Sequence, residues 1–388
     1  MTDNPRFETR AIHVGQSADE ATGATIVPIY QTATFTQDAI GENRGYEYSR
    51  SGNPTRDALE AALASMEGGR FGFAYGSGMA AIHGVMQLLS SGDHVVVCDD
   101  LYGGSYRLFT KVMSGFGVRF SFVDATQLDE VERAIESATK MLWIESPTNP
   151  MLRMIDIAAC GEIAHRKALM LVVDNTFASP YLQNPLQLGA HVVAHSTTKY
   201  IGGHSDVIGG AVVVDDEAIA ARLRFTRNAS GGVPGPWDAW LTLRGAKTLA
   251  LRMRQHEANA KQVAEFLRER PEVERVHYPG FPDHPGHELA KQQMRGFGGM
   301  VTLDLVGGEP VAKKFAESTR YFSLGESLGG VESLIGYPWT MSHGAFDPDA
   351  KRSKGITEAT VRLSVGIEHA DDLCDDLAEA LKRAANAQ

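Results

Sequence analysis

A small set of side chains in this sequence is spaced so that together they could run one chemistry. Lys199 lies in His195-Ser-Thr-Thr-Lys-Tyr200, just after an apolar run at 191–194, and Asp174 directly follows another at 169–173. Gly78 and Met79 open an apolar stretch of helical period at 79–89, and Tyr102 follows the run at 94–98. A lysine at a strand end is usually solvated, because its charge is costly to bury unless its pKa shifts or it bonds covalently. Pyridoxal phosphate chemistry needs such a lysine for the aldehyde, a carboxylate beside the pyridine nitrogen, an anion cradle and a planar side chain on the ring. Lys199, Asp174, Gly78 with Met79, and Tyr102 answer those needs in that order, and Ser196 and Thr198 add hydroxyl donors for the same phosphate. Backbone N–H groups at the start of the 79–89 helix would make the anion site by geometry.

A second chemistry competes for part of this set. Gly76-Ser-Gly-Met-Ala-Ala81 matches the G-x-G-x-x-A dinucleotide fingerprint, with Asp99 or Asp100 at about the spacing of the acidic ribose partner, as in a nicotinamide-dependent dehydrogenase. That reading explains neither Lys199 nor Asp174.

The elements that must position these residues are legible from hydrophobic pattern. Between about residues 71 and 215, Val- and Ile-rich runs at 94–98, 118–123, 141–144, 169–173, 191–194 and 210–214 alternate with helical stretches such as 157–167. This predicts a mostly parallel sheet covered by helices on both faces. In such sheets ligands bind beyond the carboxyl ends of the strands, where Asp99, Asp100, Tyr102, Glu145, Asn149, Asp174, Asn175, Ser196, Thr198 and Lys199 all fall. The first 65 residues read as an extended arm ending in a helix at 55–66. Beyond Pro236 come one long amphipathic stretch at 237–268, strands at 274–278, 300–305 and 361–365, and a last helix carrying Leu373, Leu377 and Leu381 at helical spacing. We therefore expect an arm at 1–65, an α/β domain at 66–250 and a smaller α+β domain at 251–388.

The 388 residues carry 37 basic and 48 acidic side chains, a net charge of -11 that works against a nucleic-acid partner. Three widely spaced cysteines fit a reducing, cytoplasmic location better than a disulfide scaffold. Neither a signal-peptide core nor a membrane-spanning run is expected.

Taken together, several segments resemble one family along the whole chain. They are Tyr46-Glu-Tyr-Ser-Arg-Ser-Gly-Asn-Pro-Thr-Arg56, Gly76-Ser-Gly-Met-Ala-Ala81, Asp99-Asp-Leu-Tyr-Gly-Gly104, Glu145-Ser-Pro-Thr-Asn-Pro150, Val173-Asp-Asn-Thr-Phe177, His195-Ser-Thr-Thr-Lys-Tyr200, Gly203-His-Ser-Asp-Val207, Glu326-Ser-Leu-Gly-Gly-Val-Glu-Ser333 and Val361-Arg-Leu-Ser-Val-Gly-Ile-Glu368. The sequence resembles the trans-sulfuration family of fold-type I pyridoxal phosphate enzymes. That resemblance implies a seven-stranded, mostly parallel sheet, the cofactor pyridoxal 5'-phosphate, and a small amino-acid substrate. It implies that Lys199 is the cofactor lysine and catalytic base, that Tyr102 stacks on the ring, and that Asp174 keeps the pyridine nitrogen protonated. Gly78, Met79, Ser196 and Thr198 would bind the phosphate, joined by Tyr48 and Arg50 from a neighbouring subunit. This makes the protein a homo-oligomer, with a tetramer of site-sharing dimers expected. Arg362 would grip the substrate carboxylate, Asn149 would lie near it and the cofactor, and Ser327 would orient the lysine.

The implied reactions are γ-elimination of cystathionine to cysteine, 2-oxobutyrate and ammonia, or γ-replacement of an O-acylhomoserine by cysteine. Gly104 stands where the family's methionine γ-lyases carry cysteine, which argues against that activity. Glu326 suits a substrate with a distal amino group, and Arg107 suits an acidic acyl leaving group. Glu47 with Glu326 tilts the expectation toward the lyase reaction. Tyr337 and Trp339 either narrow the substrate pocket or pack as core.

Overall fold

A computed structural model of the chain describes residues 5–385. In chain order the first strands are β1 (Phe71–Tyr75), β2 (His94–Cys98), β3 (Arg119–Val123), β4 (Thr139–Glu145), β5 (Met170–Asp174), β6 (Val192–His195) and β7 (Gly210–Val214). They form one seven-stranded sheet in the order β1-β7-β6-β5-β4-β2-β3. Pairings among β2 to β6 are parallel, and β7 runs antiparallel to β1 and β6. The valine-rich runs β2, β6 and β7 are buried along their whole length, as helices on both faces require.

β1 is the strand that no apolar run announces. Its Phe-Gly-Phe-Ala-Tyr sequence has no β-branched residue, and its glycine serves packing. A Cβ on Gly72 would lie 2.2 Å from the carbonyl oxygen of Glu60 in the helix beneath. That helix is the second of four that matter here: α1 (Phe7–His13), α2 (Pro54–Glu67), α3 (Gly78–Met86) and α4 (Gly103–Arg107). The α2 helix starts where Asn53 accepts a hydrogen bond from Thr55 N and stops at Gly68, whose φ of 77° suits glycine.

A second sheet holds β8 (Val273–His277), β9 (Met300–Leu305), β10 (Ser323–Leu324), β11 (Leu334–Gly336) and β12 (Thr360–Ser364), in the order β10-β11-β12-β9-β8. The two- and three-residue strands β10 and β11 are too short to show an alternating pattern. The last helix, Ala370–Ala385, buries Leu373, Leu377 and Leu381 against this sheet's core as its spacing predicts.

The stretch expected as one amphipathic run at 237–268 is two helices, Pro236–Ala246 and Leu249–Arg268. The break falls just after Gly245. This glycine is pressed so close to the Gly202 carbonyl that a Cβ would lie 2.1 Å away, and its own carbonyl accepts from Arg252 Nη2 at 2.8 Å and Thr248 N at 3.2 Å. Cys98, Cys160 and Cys374 are buried and unpaired. Among the described residues no helix is long and apolar enough to cross a membrane.

Candidate active site

A cavity of about 480 Å³ opens at the carboxyl edge of the first sheet, where the second sheet leans over it. Strand register explains which side chains reach it. Glu145 pairs with Asp174, and Asp174 with Ala194, so both carboxyls share one face of neighbouring strands. From the chain just beyond β6 come Ser196, Thr198 and Lys199; from the starts of α3 and α4 come Gly78, Met79 and Tyr102; from the second sheet and its loops come Glu326, Ser327 and Arg362. Arg107 and Asn149 also line the cavity.

The Lys199 amine is largely desolvated. Burial and the nearby Arg362 charge, opposed by Glu326, pull it down to about 8. Its Nζ donates to Ser327 Oγ at 2.6 Å. Ser327 holds a φ of 106°, a left-handed value that a non-glycine residue adopts at a cost of roughly 1–3 kcal/mol. Asp174 Oδ1 accepts from Thr176 N at 3.0 Å and Thr176 Oγ1 at 2.5 Å. Burial raises the Asp174 carboxyl, and the two Thr176 bonds and His195 pull against that rise. Thr176 Oγ1 in turn accepts from Ser196 N at 2.9 Å, so this threonine joins the ends of two strands.

Arg362 is buried beneath the cavity. Its Nη1 donates to Asn149 Oδ1 at 2.9 Å and its Nη2 to the Ser327 carbonyl at 3.0 Å, while Nε has no partner among the described residues. Burial lowers its pKa to about 10. Tyr102 is 38% exposed, with its ring at the cavity. Its backbone N–H donates to Glu145 Oε2 at 2.9 Å, and burial with the Asp174 charge holds Glu145 well above the usual carboxylate range.

At the start of α3, the Ser77 side chain accepts from Ala80 N, and the N–H groups of Gly78 and Met79 have no carbonyl of the helix to bond. A Cβ on Gly78 would lie 2.7 Å from Ser196 Cβ, so this position must lack a side chain for the backbone to come close. The Thr198 hydroxyl donates to Gly209 O at 3.1 Å and accepts from Gly209 N at 3.0 Å, which leaves Ser196 the freer of the two hydroxyls.

Tyr48 and Arg50 are not brought to this cavity by their own chain. They lie exposed on a separate depression beside Gly231 and Pro234, with the Arg50 guanidinium 5.7 Å from the Tyr48 ring centre. Glu47 is exposed too, accepting from Asn43 Nδ2 at 2.7 Å. Tyr337 and Trp339 separate: Tyr337 lines the cavity and also donates its hydroxyl to Glu358 O, whereas Trp339 sits outside under Lys351, whose Nζ is 4.3 Å from the ring centre. Thr176 and Glu145 are site residues to which the sequence reading assigned no role. The signals available were a threonine two residues after an aspartate, an Asx-turn spacing, and an acid at a strand end.

The dinucleotide alternative does not survive this arrangement. Asp100 is buried against Thr148, and Asp99 faces Arg153 at 3.5 Å, so neither acid faces the Gly76–Ala81 turn as a ribose partner must. What the cavity does offer suits pyridoxal phosphate: a desolvated lysine, a carboxylate with one oxygen uncommitted, and a side-chain-free helix start.

The sequence model of the family described as "Cys/Met metabolism PLP-dependent enzyme" matches residues 8–382. The chain belongs to this family. As a member of the Cys/Met metabolism family, it is an enzyme that uses pyridoxal 5'-phosphate for carbon–sulfur lyase or transferase chemistry. It is 50% identical over 375 residues to a cystathionine gamma-lyase of Bacillus subtilis, covering 97% of this chain and 99% of that one. It is 53% identical over 375 residues to a cystathionine gamma-synthase of Mycobacterium tuberculosis, covering 96% of each. Other relatives about as similar are named cystathionine beta-lyase. A solved structure of cystathionine gamma-lyase from Lactobacillus plantarum, complexed with L-serine, superposes with a TM-score of 0.96 at 47% identity, covering 98% of this chain and all of that one.

Proposed function

We propose that this enzyme works at the Cγ–S bond of cystathionine, chiefly by γ-elimination: L-cystathionine and water give L-cysteine, 2-oxobutyrate and ammonia. The observation that carries this reading is that the cavity holding Lys199 also holds Glu326. A carboxylate in that cavity suits the distal ammonium of a substrate that is an amino acid at both ends.

The bound cofactor supplies an electron sink for charge leaving the substrate Cα. Lys199 holds the cofactor, and its amine, once released, moves the Cα proton; burial, which lowers that amine to about 8, makes its neutral form far more populated than that of an exposed lysine. Ser327 Oγ fixes where the amine points. Asp174 keeps a proton on the pyridine nitrogen, and Tyr102 covers the ring. Gly78 and Met79 N–H groups with Ser196 and Thr198 take the phosphate, while Arg362, steadied by Asn149, binds the substrate α-carboxylate.

The phosphate residues of one chain include no cationic side chain. Exposed Arg50 and Tyr48, delivered to the cavity of a neighbouring subunit, would supply charge and a hydroxyl, so paired subunits share sites and two pairs form a tetramer. A second reading, γ-replacement of an O-acyl-L-homoserine by L-cysteine, is favoured by Arg107, which suits an acidic acyl group, and by the mycobacterial relative's name. The test compares kcat/KM for cystathionine cleavage with that for O-succinylhomoserine or O-acetylhomoserine plus cysteine, with products identified. Preferential release of 2-oxobutyrate and cysteine supports the lyase, preferential cystathionine formation supports the synthase, and pyruvate with homocysteine refutes both.

A further inference from the structure

Behind the cavity, on the opposite face of the sheet, lies a buried polar cluster that none of the assignments above uses. Side chains alternate across a strand, so the neighbours of the cavity residues point rearward. Glu145, Asp174 and Ser196 line the cavity; Ser146, Asn175 and His195 are the residues beside them, and none of these three lines it. Glu67, the last residue of α2, is fully buried at this rear face. Its Oε1 accepts from Asn175 Nδ2 at 2.8 Å and from His195 Nε2, and its Oε2 accepts from Asn184 Nδ2 at 3.2 Å. Gln183 extends the cluster, its Nε2 donating to Asn175 Oδ1 at 2.9 Å and to the Ser146 carbonyl at 2.8 Å.

We infer that Glu67 is a positioning residue for the cofactor: with His195 and Asn175 it clamps the ends of β5 and β6 from behind and so sets the spacing between Asp174 and the Ser196 end of the phosphate cradle. The two strands end here, and beyond Asn175 N to Ala194 O at 3.0 Å the ladder no longer ties them. Two devices replace it. Thr176 bridges Asp174 to Ser196 N on the cavity side, and Glu67 bridges Asn175 to His195 on the rear. A carboxylate suits the rear position because three donors converge on it. An amide there would turn one acceptor into a donor facing donors, the arrangement that burial penalises most.

This inference rests on the placement of the cofactor between Lys199 and Asp174 proposed above. Borohydride reduction of the holoenzyme followed by peptide mapping checks that placement first: label on a lysine other than Lys199 removes the placement and the inference with it. Given label on Lys199, the Glu67→Gln protein should keep its far-UV circular dichroism. Its dissociation constant for pyridoxal phosphate should rise about tenfold, on the scale at which outer-shell partners act on a bound group, and the visible band of the bound cofactor should shift. Asp376→Asn is the control. That buried carboxylate accepts from Arg320 N and Tyr321 N, each at 2.7 Å, in the second-sheet core, so its loss should lower Tm and leave cofactor affinity unchanged. A Glu67→Gln protein that behaves like the control overturns the inference. Should Glu67→Gln not fold, the His195 pair decides: His195→Leu should weaken cofactor binding and His195→Gln, which keeps an N–H for Glu67, should restore it. Parent-like affinity in His195→Leu overturns the inference.

Discussion

The two sheets meet at one cavity but hold their residues in different ways. At the edge of the first sheet, Asp174 and Ser196 sit on buried strand ends cross-linked by Thr176 on one face and by Glu67 on the other. From the second sheet, Arg362 and Gly336 stand on strands β12 and β11; Glu326 and Ser327 lie in the loop between β10 and β11, and Tyr337 follows β11. On the proposed assignment, the first side holds the cofactor, and the second adds Glu326 and Arg362 to the Arg107 and Asn149 that the first side turns toward the substrate. Relatives of about equal identity that carry the names gamma-lyase, beta-lyase and gamma-synthase fit this division, since a common cofactor frame can serve different substrates.

The largest effect should come from the residue where the two sides touch. Lys199→Ala should reduce kcat/KM by at least about a thousandfold, within the range for losing a general base, and abolish borohydride labelling. Retained turnover with the label gone would break the division at its centre. Next, Arg362→Lys leaves a charge but loses the planar fork. It should raise KM roughly 10- to 100-fold, corresponding to about 1.5–3 kcal/mol for charge-assisted bonds, with a smaller change in kcat and cofactor affinity kept. A matching loss of cofactor would mean that the second sheet builds the cofactor site as well.

The pH response sharpens the comparison further. An exposed lysine has a pKa near 10.5, whereas Lys199 is lowered to about 8, so its neutral, reactive form is half populated near pH 8. Capture of pyridoxal phosphate by cofactor-free protein should therefore quicken about tenfold per pH unit up to pH 8 and level off above it, followed by stopped-flow absorbance. Because Glu326 favours the charged amine, Glu326→Gln should move that midpoint lower. An unmoved midpoint would mean that the loop residue does not reach across electrostatically. The smallest effect is expected at Trp339→Leu, which should cost about 1–2 kcal/mol and a few degrees of Tm with unchanged substrate preference. A changed ratio of cystathionine cleavage to synthesis would place Trp339 in the substrate wall after all.

The chemistry-bearing residues of the first sheet were readable because parallel strands write themselves as valine-rich runs, and the residue after each run falls at the ligand edge by topology. Lys199, Asp174, Ser196 and Tyr102 all line one cavity at that edge. β1 was not readable, since its glycine answers to the approach of Glu60 and not to strand propensity. The break after Gly245 was hidden as well: the Gly245 carbonyl is taken by the Arg252 guanidinium, a side-chain contact that the amphipathic pattern does not record. Tyr48 and Arg50 were singled out through the resemblance, yet within one chain they lie apart from the cavity, on the depression beside Gly231 and Pro234.

By itself the sequence determined the parallel sheet, the strand ends that carry polar residues, and the residue types that pyridoxal phosphate needs, because hydrophobic period and local spacing are written along the chain. Tertiary structure alone decided that Tyr337 faces the cavity while Trp339 packs beneath Lys351, that Glu145 pins the Tyr102 backbone, and that Glu67, 128 positions before His195, closes a cluster behind Asp174. Those contacts join residues far apart in sequence, and no local pattern records which buried polar groups will find one another.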